Sequence, residues 1–392
     1  MAATPINLQA ITAAGYAALQ RGDPHTARRW FDQAVAAAVA DAAVWFGLAV
    51  VHKSLGESAE QHSAVDRALQ SDSYYLPALV AKGDLLAKGG DRRSANSYYT
   101  AALKIAARLP SLAPEWREEL RRVEAVSRGI AGEFEAHLLA AISALGAHEP
   151  GNERFAHAID LLLGKRQIYP QQPKYFYYPD LPQIQFFDRQ AFAWTGALER
   201  QFDAIRAEAR ALLDADSHFV PYIQREPNRP AFNVRGMLDN PDWGAFFLIK
   251  DGVTVEANAA LCPRTFAAIS EMPLCRIDHR TPSVLFSLLR PGARIQPHHG
   301  FTNARLIGHL PLIVPPHCAL RVGNETRSWT EGETVLFDDS IEHEAWNSSS
   351  EPRIVMIFDV WRPELSARER ELVAATLAAV DSFGGPPSKW TE

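Results

Sequence analysis

Three glycines, Gly22, Gly56 and Gly90, stand 34 residues apart, and Ala34, Ala68 and Ala102 keep the same interval. Gly15, Ala49 and Gly83 form a third register of small residues with that spacing. Glycine falls where a helix must turn back, in Gln-Arg-Gly22-Asp-Pro and Ala-Lys-Gly-Gly90-Asp-Arg, and the other small residues fall where two helices pack closely. A fixed period held by three registers at once marks stacked helical hairpins, each burying its apolar face only against the next. Residues 8–109 therefore read as three such units, with Leu85, Leu86 and neighbouring apolar side chains filling the gaps. After Pro110 a further helix runs to about His148, its Trp116, Leu120, Val123 and Val126 recurring at three- and four-residue steps.

The periodic segment resembles tetratricopeptide repeats, which implies an all-α superhelix serving as a scaffold or peptide-binding surface, as a cap on the rest of the chain, or for self-association. We expect this helical domain over residues 1–110, a helical linker region over 111–168, and a second domain over 169–392. Glu149-Pro-Gly-Asn is a break, residues 155–163 a short helix, and residues 169–182, dense in proline and aromatics, an extended segment lying across a surface. Residues 190–215 read as one long amphipathic helix ending before a loop with Pro221, Pro227 and Pro230. Residues 243–252 read as a strand and turn, residues 258–269 contain a short helix, and the strand beginning at Val284 opens a barrel. The tail, 364–383, is a terminal amphipathic helix with Leu365, Leu372, Leu377 and Val380 available for docking.

Residues 294–361 consist of short segments rich in Val, Ile, Leu and Phe, broken by Pro, Gly, Asn and Ser, the texture of a compact antiparallel β-barrel. His298, Arg305, His309, His343 and Arg353 interrupt them. Alternate residues of a strand share a face, so Arg305, Ile307 and His309 point the same way. If that way is inward, imidazoles and guanidinium groups line a cavity suited to a metal and a small anion. His298 ends one strand and His343 follows 45 residues later, expected on the far side of the barrel. A typical non-haem iron site adds a carboxylate two residues after the first histidine; here that position is Gly300. Arg353 precedes the apolar run Ile-Val-Met-Ile-Phe, where a guanidinium is costly to bury unless an anion meets it. Ser287 is a polar interruption in Leu-Phe-Ser-Leu-Leu, and an Arg–Ser pair can grip the distal carboxylate of a dicarboxylate.

From Trp243 to Pro363 the chain resembles the aspartyl/asparaginyl β-hydroxylase family of Fe(II)- and 2-oxoglutarate-dependent oxygenases. The matching blocks include Pro297-His298-X-Gly300-X-Thr302-Asn303-X-Arg305-X-X-X-His309, Trp329-X-Glu331-Gly332, Phe337-Asp338-Asp339-Ser340-X-Glu342-His343-Glu344-X-Trp346 and Asp359-Val360-Trp361-X-Pro363. The resemblance implies a multidomain α + β protein: the tetratricopeptide-type superhelix, then a double-stranded β-helix (jelly-roll, cupin-like) with flanking helices. It also implies iron held by His298 and His343 alone, with glycine in place of the acid. The 2-oxoglutarate tail would lie on Arg353 and Ser287, with His309 and Trp243 completing its pocket, and O2 as the other cosubstrate. Arg305 would stand near the substrate carboxylate, and Asp339 would orient a metal-bound water. Catalysis would thus rest on His298, His343 and Arg353.

Two positions depart from the family. Ile307 stands where animal members carry a second arginine, and Ala245 replaces a glutamine on the substrate side, which weakens the reading of a substrate aspartate. Hydroxylation at Cβ of Asp or Asn in a peptide or protein, recruited by the repeats, is the expected activity; a small-molecule or lipid acyl substrate is the enzymatic alternative. A non-catalytic repeat scaffold with a vestigial barrel is the rival of another class. His299 reads as a rim residue and His317 as a loop feature. The net charge of −6 gives no electrostatic reason to bind nucleic acid. No uninterrupted apolar run approaches the ~20 residues of a membrane span, and the first ten residues lack the pattern of a secretion signal. Three cysteines, Cys262, Cys275 and Cys318, without metal-ligand spacing, fit a reducing cytoplasm.

Overall fold

The computed structural model describes residues 7–143, 145–146, 149–215, 218–225 and 236–383. His148, Pro227 and Pro230, used above as a helix end and as loop prolines, lie outside the described residues. The chain divides into two units, Met1–Ile159 and Asp160–Glu392.

In the first unit, α1 (Leu8–Gln20) pairs with α2 (Pro24–Ala36), α3 (Ala42–Leu55) with α4 (Ser58–Ser71), and α5 (Leu76–Lys88) with α6 (Arg92–Ala106). Asn7, Asp23, Asp41 and Asp91 cap α1, α2, α3 and α6, each side chain accepting from a backbone N–H three residues on. Gly22, Gly56 and Gly90 have φ of 74°, 76° and 85°, a left-handed turn that a side chain would strain. The small register records close packing. A Cβ on Gly15 would lie 2.4 Å from the Phe31 ring, and one on Gly83 would lie 2.5 Å from Tyr99. Phe31, Val65 and Tyr99 are themselves 34 apart, so the middle repeat carries alanine where its partner is the smaller valine. These helices form the tetratricopeptide-type array. Beyond it, α7 (Pro114–Ser143) buries Leu120, Val123 and Ile130 in the core of α5 and α6, and α8 (Glu153–Leu162) follows.

The second unit begins with an extended, aromatic-rich stretch, Phe176 bridging in parallel to Thr302. The single helix expected over residues 190–215 is instead a 3₁₀ turn (Arg189–Ala191), α9 (Thr195–Glu199) and α10 (Phe202–Ala215). Phe192, between the first two pieces, and Leu198 of α9 turn into the core, and the Thr195 hydroxyl takes up the freed carbonyls of Arg189 and Phe192. Residues 258–269, expected to contain a short helix, contribute to two, α11 (Glu256–Leu261) and α12 (Pro263–Ser270), separated at Cys262. The C-terminal helix α13 (Ala367–Asp381) opens with a Ser366/Glu369 capping box. It buries Val373 and Leu377 and leaves Leu372 and Val380 exposed, so its docking face differs from the one expected.

Two antiparallel sheets form the double-stranded β-helix. The strands are β1 (Phe186–Phe187), β2 (Val220–Pro221), β3 (Trp243–Lys250), β4 (Val253–Thr254), β5 (Val284–Leu289), β6 (Arg294–His298), β7 (Arg305–Ile313), β8 (Cys318–Val322), β9 (Glu325–Arg327), β10 (Val335–Phe337), β11 (His343–Asn347) and β12 (Arg353–Trp361). The larger sheet runs β1-β10-β7-β12-β5-β3-β2, with β4 beside β3, and the smaller runs β6-β11-β8-β9. Alternation divides the larger sheet cleanly. Phe246, Phe286, Leu310, Met356 and Phe358 face one core with α10 and α12. Trp243, Leu289, Ile307 and Val355 face the other, against Ile295, Leu320 and Ala345 of the smaller sheet. Ser287, His298, His309, His343 and Arg353 enter this second space. Among the described residues no helix is long and apolar enough to cross a membrane.

Candidate active site

His298 and His343 are not on opposite sides of the barrel as expected: they are cross-strand partners on β6 and β11, in register, because the smaller sheet pairs these two strands directly. Their ring centroids are 4.1 Å apart. Each Nδ1 lies against a carbonyl two residues back, 2.7 Å from Gln296 O and 3.1 Å from Ile341 O. A carbonyl only accepts, so both Nδ1 atoms carry the proton and Nε2 is the unprotonated nitrogen of each ring. Burial pushes the pKa of His343 down to about 3, and the Ile341 carbonyl opposes part of that shift. The neutral, metal-binding form is therefore the resting form.

Gly300 has a specific reason to be glycine. A Cβ there would lie 1.8 Å from Asp339 Oδ2, so the Asp339 carboxylate already fills the space a side chain would enter. Asp339 sits in the turn between β10 and β11, and its backbone oxygen accepts from Gly300 N at 2.7 Å. Its carboxylate lines the cavity and pairs with Arg305 at 3.0 Å. Arg305 also pairs with Asp359, whose other oxygen accepts from Ser283 N at 2.6 Å. Arg305, expected near a substrate carboxylate, is 1% exposed, between two carboxylates of its own chain and not among the cavity-lining residues. Among the described residues no group of three or more His, Cys, Asp or Glu is arranged to hold a metal.

The far end of the cavity carries a buried positive charge. Arg353, at the start of β12, is 1% exposed, and among the described residues no carboxylate pairs with it and its Nε has no hydrogen-bond partner. The guanidinium lies 5.0 Å over the Trp329 ring. Burial pushes its pKa down to about 10. His309 beside it is held neutral, its pKa pushed down to about 3 by burial first and the Arg353 charge second. Ser287 pairs in register with Val355, and Leu289 with Arg353, which puts Ser287 and Arg353 on one face of the sheet. Ser287 Oγ accepts from Trp243 Nε1 at 3.2 Å, which leaves the hydroxyl hydrogen to donate. Trp243 is fixed by stacking on Tyr222, with centroids 4.2 Å apart and planes 7° apart.

The structure thus brings His298, His343, Arg353, Ser287, His309 and Trp243 to one cavity, with Asp339 beside the imidazoles. The remaining walls are Tyr222, Ile295, Ile307, Leu320, Phe337, Ala345 and Ile357. Tyr222, Phe337 and Trp329 were not singled out from the sequence. Phe337 and Trp329 stand in the motif blocks as aromatic residues with no charge to mark a role there, and Tyr222 comes from the irregular segment before β3. His299 is half-buried and outside the cavity lining, and His317 is exposed in a turn with φ of 66°. The three cysteines are buried free thiols.

Residues 199–363 match the family model described as aspartyl/asparaginyl beta-hydroxylase. The human "Aspartate beta-hydroxylase domain-containing protein 2" is 35% identical over 206 residues, 51% of this chain and 53% of that protein. Human "Aspartyl/asparaginyl beta-hydroxylase" is 35% identical over 181 residues, 46% of this chain and 22% of that protein. "Ornithine lipid ester-linked acyl 2-hydroxylase" of Rhizobium tropici is 34% identical over 180 residues, 45% of this chain and 60% of that protein. The chain spans about half the length of the domain-containing relatives it matches.

Proposed function

We propose that this chain, whose C-terminal unit carries an aspartyl/asparaginyl β-hydroxylase domain, is a dioxygenase that uses Fe(II), 2-oxoglutarate and O2 to hydroxylate a C–H bond. The observation that carries the reading is Arg353: a buried guanidinium that no carboxylate pairs with among the described residues, in the same cavity as two imidazoles whose Nδ1 atoms face backbone carbonyls. Burying an uncompensated charge is unfavourable unless a ligand supplies its counter-charge.

The residues fit the group. His298 and His343 would hold the iron, which supplies the chemistry that converts 2-oxoglutarate and O2 to succinate and CO2 and places one oxygen atom in the substrate bond. Arg353 and the Ser287 hydroxyl would hold the distal carboxylate of 2-oxoglutarate by a forked, charge-assisted contact. Neutral His309 can donate to that carboxylate without adding a second cation, and Trp243 both orients Ser287 and closes the wall. Asp339, standing where a third ligand's chain would come, would orient a water at the open side of the metal. The apolar walls keep bulk water from the reacting carbon.

Cβ of Asp or Asn in a peptide or protein is the first substrate to test, with the tetratricopeptide-type array as the surface that recruits it in the cytoplasm. The acyl-chain reading has a specific observation in its favour. Ile307 is apolar, Ala245 offers no polar group, and Arg305 is already paired, so among the described residues the cavity lining offers no cation besides Arg353 for an aspartate carboxylate. Anaerobic reconstitution with Fe(II), followed by measurement of 2-oxoglutarate-dependent succinate formation, tests the proposal. Turnover is expected to disappear in His343→Ala and in Arg353→Ala. Turnover retained in both variants sinks it.

A further inference from the structure

Trp329 contacts two polar side chains of this cavity without being among the residues that line it. It stands in the link between β9 and β10. The Arg353 guanidinium lies 5.0 Å over its ring, and the His309 ring lies beside it, centroids 5.9 Å apart and planes at 37°. The link is pinned from several sides. Val314 N donates to Glu331 Oε1 at 2.8 Å, and the other oxygen of Glu331 pairs with Arg206 of α10 at 3.1 Å. Gly332 N donates to Pro311 O at 3.0 Å, and Thr334 N to Glu199 Oε1 of α9 at 2.8 Å. The indole is thus a fixed plate. Arg353, by contrast, is a long side chain whose Nε has no hydrogen-bond partner among the described residues, so the ring face is what steadies its head. The indole N–H shows which part of the ring matters. A buried tryptophan ordinarily finds a partner for that group, yet Trp329 Nε1 is buried with none among the described residues. An unpaired donor is a cost that phenylalanine would not carry. What the indole has over a phenyl ring is the better face for a cation, and that face is turned to Arg353.

We propose that Trp329 is a positioning residue: it holds the Arg353 guanidinium and the His309 ring in the orientation that receives the distal carboxylate of 2-oxoglutarate. It thereby sets the preference for a dicarboxylic over a monocarboxylic keto acid. This rests on the oxygenase reading above. The indole acts through Arg353 and touches no cosubstrate atom itself. An arginine fork matches a carboxylate only when its plane is set, and a guanidinium free to sample its rotamers loses that freedom on binding. Fixing it beforehand spares that loss when the ligand arrives. The gain is confined to ligands that reach Arg353, so it appears as selectivity and not as general affinity for keto acids.

The test uses the full chain with Fe(II) under anaerobic conditions and measures, by calorimetric titration, the affinities of 2-oxoglutarate and of 2-oxopentanoate. The second acid has a methyl group in place of the distal carboxylate. Wild-type protein is expected to prefer 2-oxoglutarate strongly. Trp329→Met fills the space without a π face and should cut that preference about five- to tenfold, with the affinities for 2-oxopentanoate and Fe(II) unchanged. Trp329→Phe keeps a weaker face and should cut it about two- to threefold; it carries the test if the methionine variant does not fold. In the Arg353→Met background neither substitution should change the ratio further. A preference unchanged in the variants, an equal loss for both keto acids, or the same loss without Arg353 would overturn the inference. If wild-type protein binds neither keto acid, or binds the two equally, the oxygenase reading itself has failed and the inference falls with it.

Discussion

Replacing Arg353 with methionine should make the ligand-free C-terminal unit more stable while removing its response to 2-oxoglutarate. Burial moves the guanidinium pKa from 12.5 to about 10, and each unit corresponds to about 1.4 kcal/mol, so keeping the charge in place costs about 3 kcal/mol. The direction with pH is fixed by linkage. The unfolded chain holds the proton more tightly, so the penalty is fully present below pH 10 and is relieved only as pH rises from there. The cation–π contact with Trp329 returns about 1 kcal/mol of this, which leaves a net gain of about 2 kcal/mol for an apolar side chain of similar length. For a unit of this size that is a rise in melting temperature of roughly 4–8 °C. The assay is thermal unfolding of both proteins with and without 2-oxoglutarate. The wild type, given ligand at a hundredfold its Kd, should gain about 2.7 kcal/mol, and Arg353→Met nothing. A destabilised variant, or one that 2-oxoglutarate still stabilises as strongly as the wild type, would refute the assignment of Arg353 as a charge waiting for an anion.

Other outcomes follow from the same geometry. His309 and His343 are both buried neutral with their pKa pushed down to about 3, so stability should fall as pH drops below about 6.5, by about 2 kcal/mol for each at pH 5; urea midpoints at pH 7 and 5 measure this, and His309→Gln should remove about half of the dependence. Gly300→Ala should destabilise the C-terminal unit by about 1–3 kcal/mol, because its Cβ would lie 1.8 Å from Asp339 Oδ2. The double variant with Asp339→Gly should recover most of that loss in chemical denaturation; no recovery removes Asp339 from the explanation. In the helical array Gly83→Ala should also cost about 1–3 kcal/mol, since its Cβ would lie 2.5 Å from Tyr99. Adding Tyr99→Val, after the Ala49/Val65 pairing of the middle repeat, should restore part of the stability.

The parts of the protein that repeat or alternate were legible from sequence. The 34-residue register located the turns at Gly22, Gly56 and Gly90 because φ near 75–85° favours glycine whatever surrounds it. Arg353 and Ser287 stood out because a polar side chain in an apolar strand needs a partner. What could not be read was pairing between distant strands. His298 and His343 are neighbours only because β6 and β11 lie side by side, and strand order is not written in either strand. Arg305 looked equally free in the sequence, and only the approach of Asp339 and Asp359 from two other segments shows where its charge goes. The broken helix over residues 190–215 has the same origin: Phe192 and Leu198 fit the helical pattern, but the core they enter turns the chain between them.

We propose that the two imidazoles on adjacent strands hold one metal ion with no third protein ligand. Anaerobic calorimetric titration of the full chain with Fe(II), in the presence of 2-oxoglutarate, tests it directly. One ion per chain is expected, with affinity falling at least about a hundredfold in His298→Ala and in His343→Ala, and with 2-oxoglutarate binding lost in both. Undiminished affinity for Fe(II) in the double variant would contradict the claim.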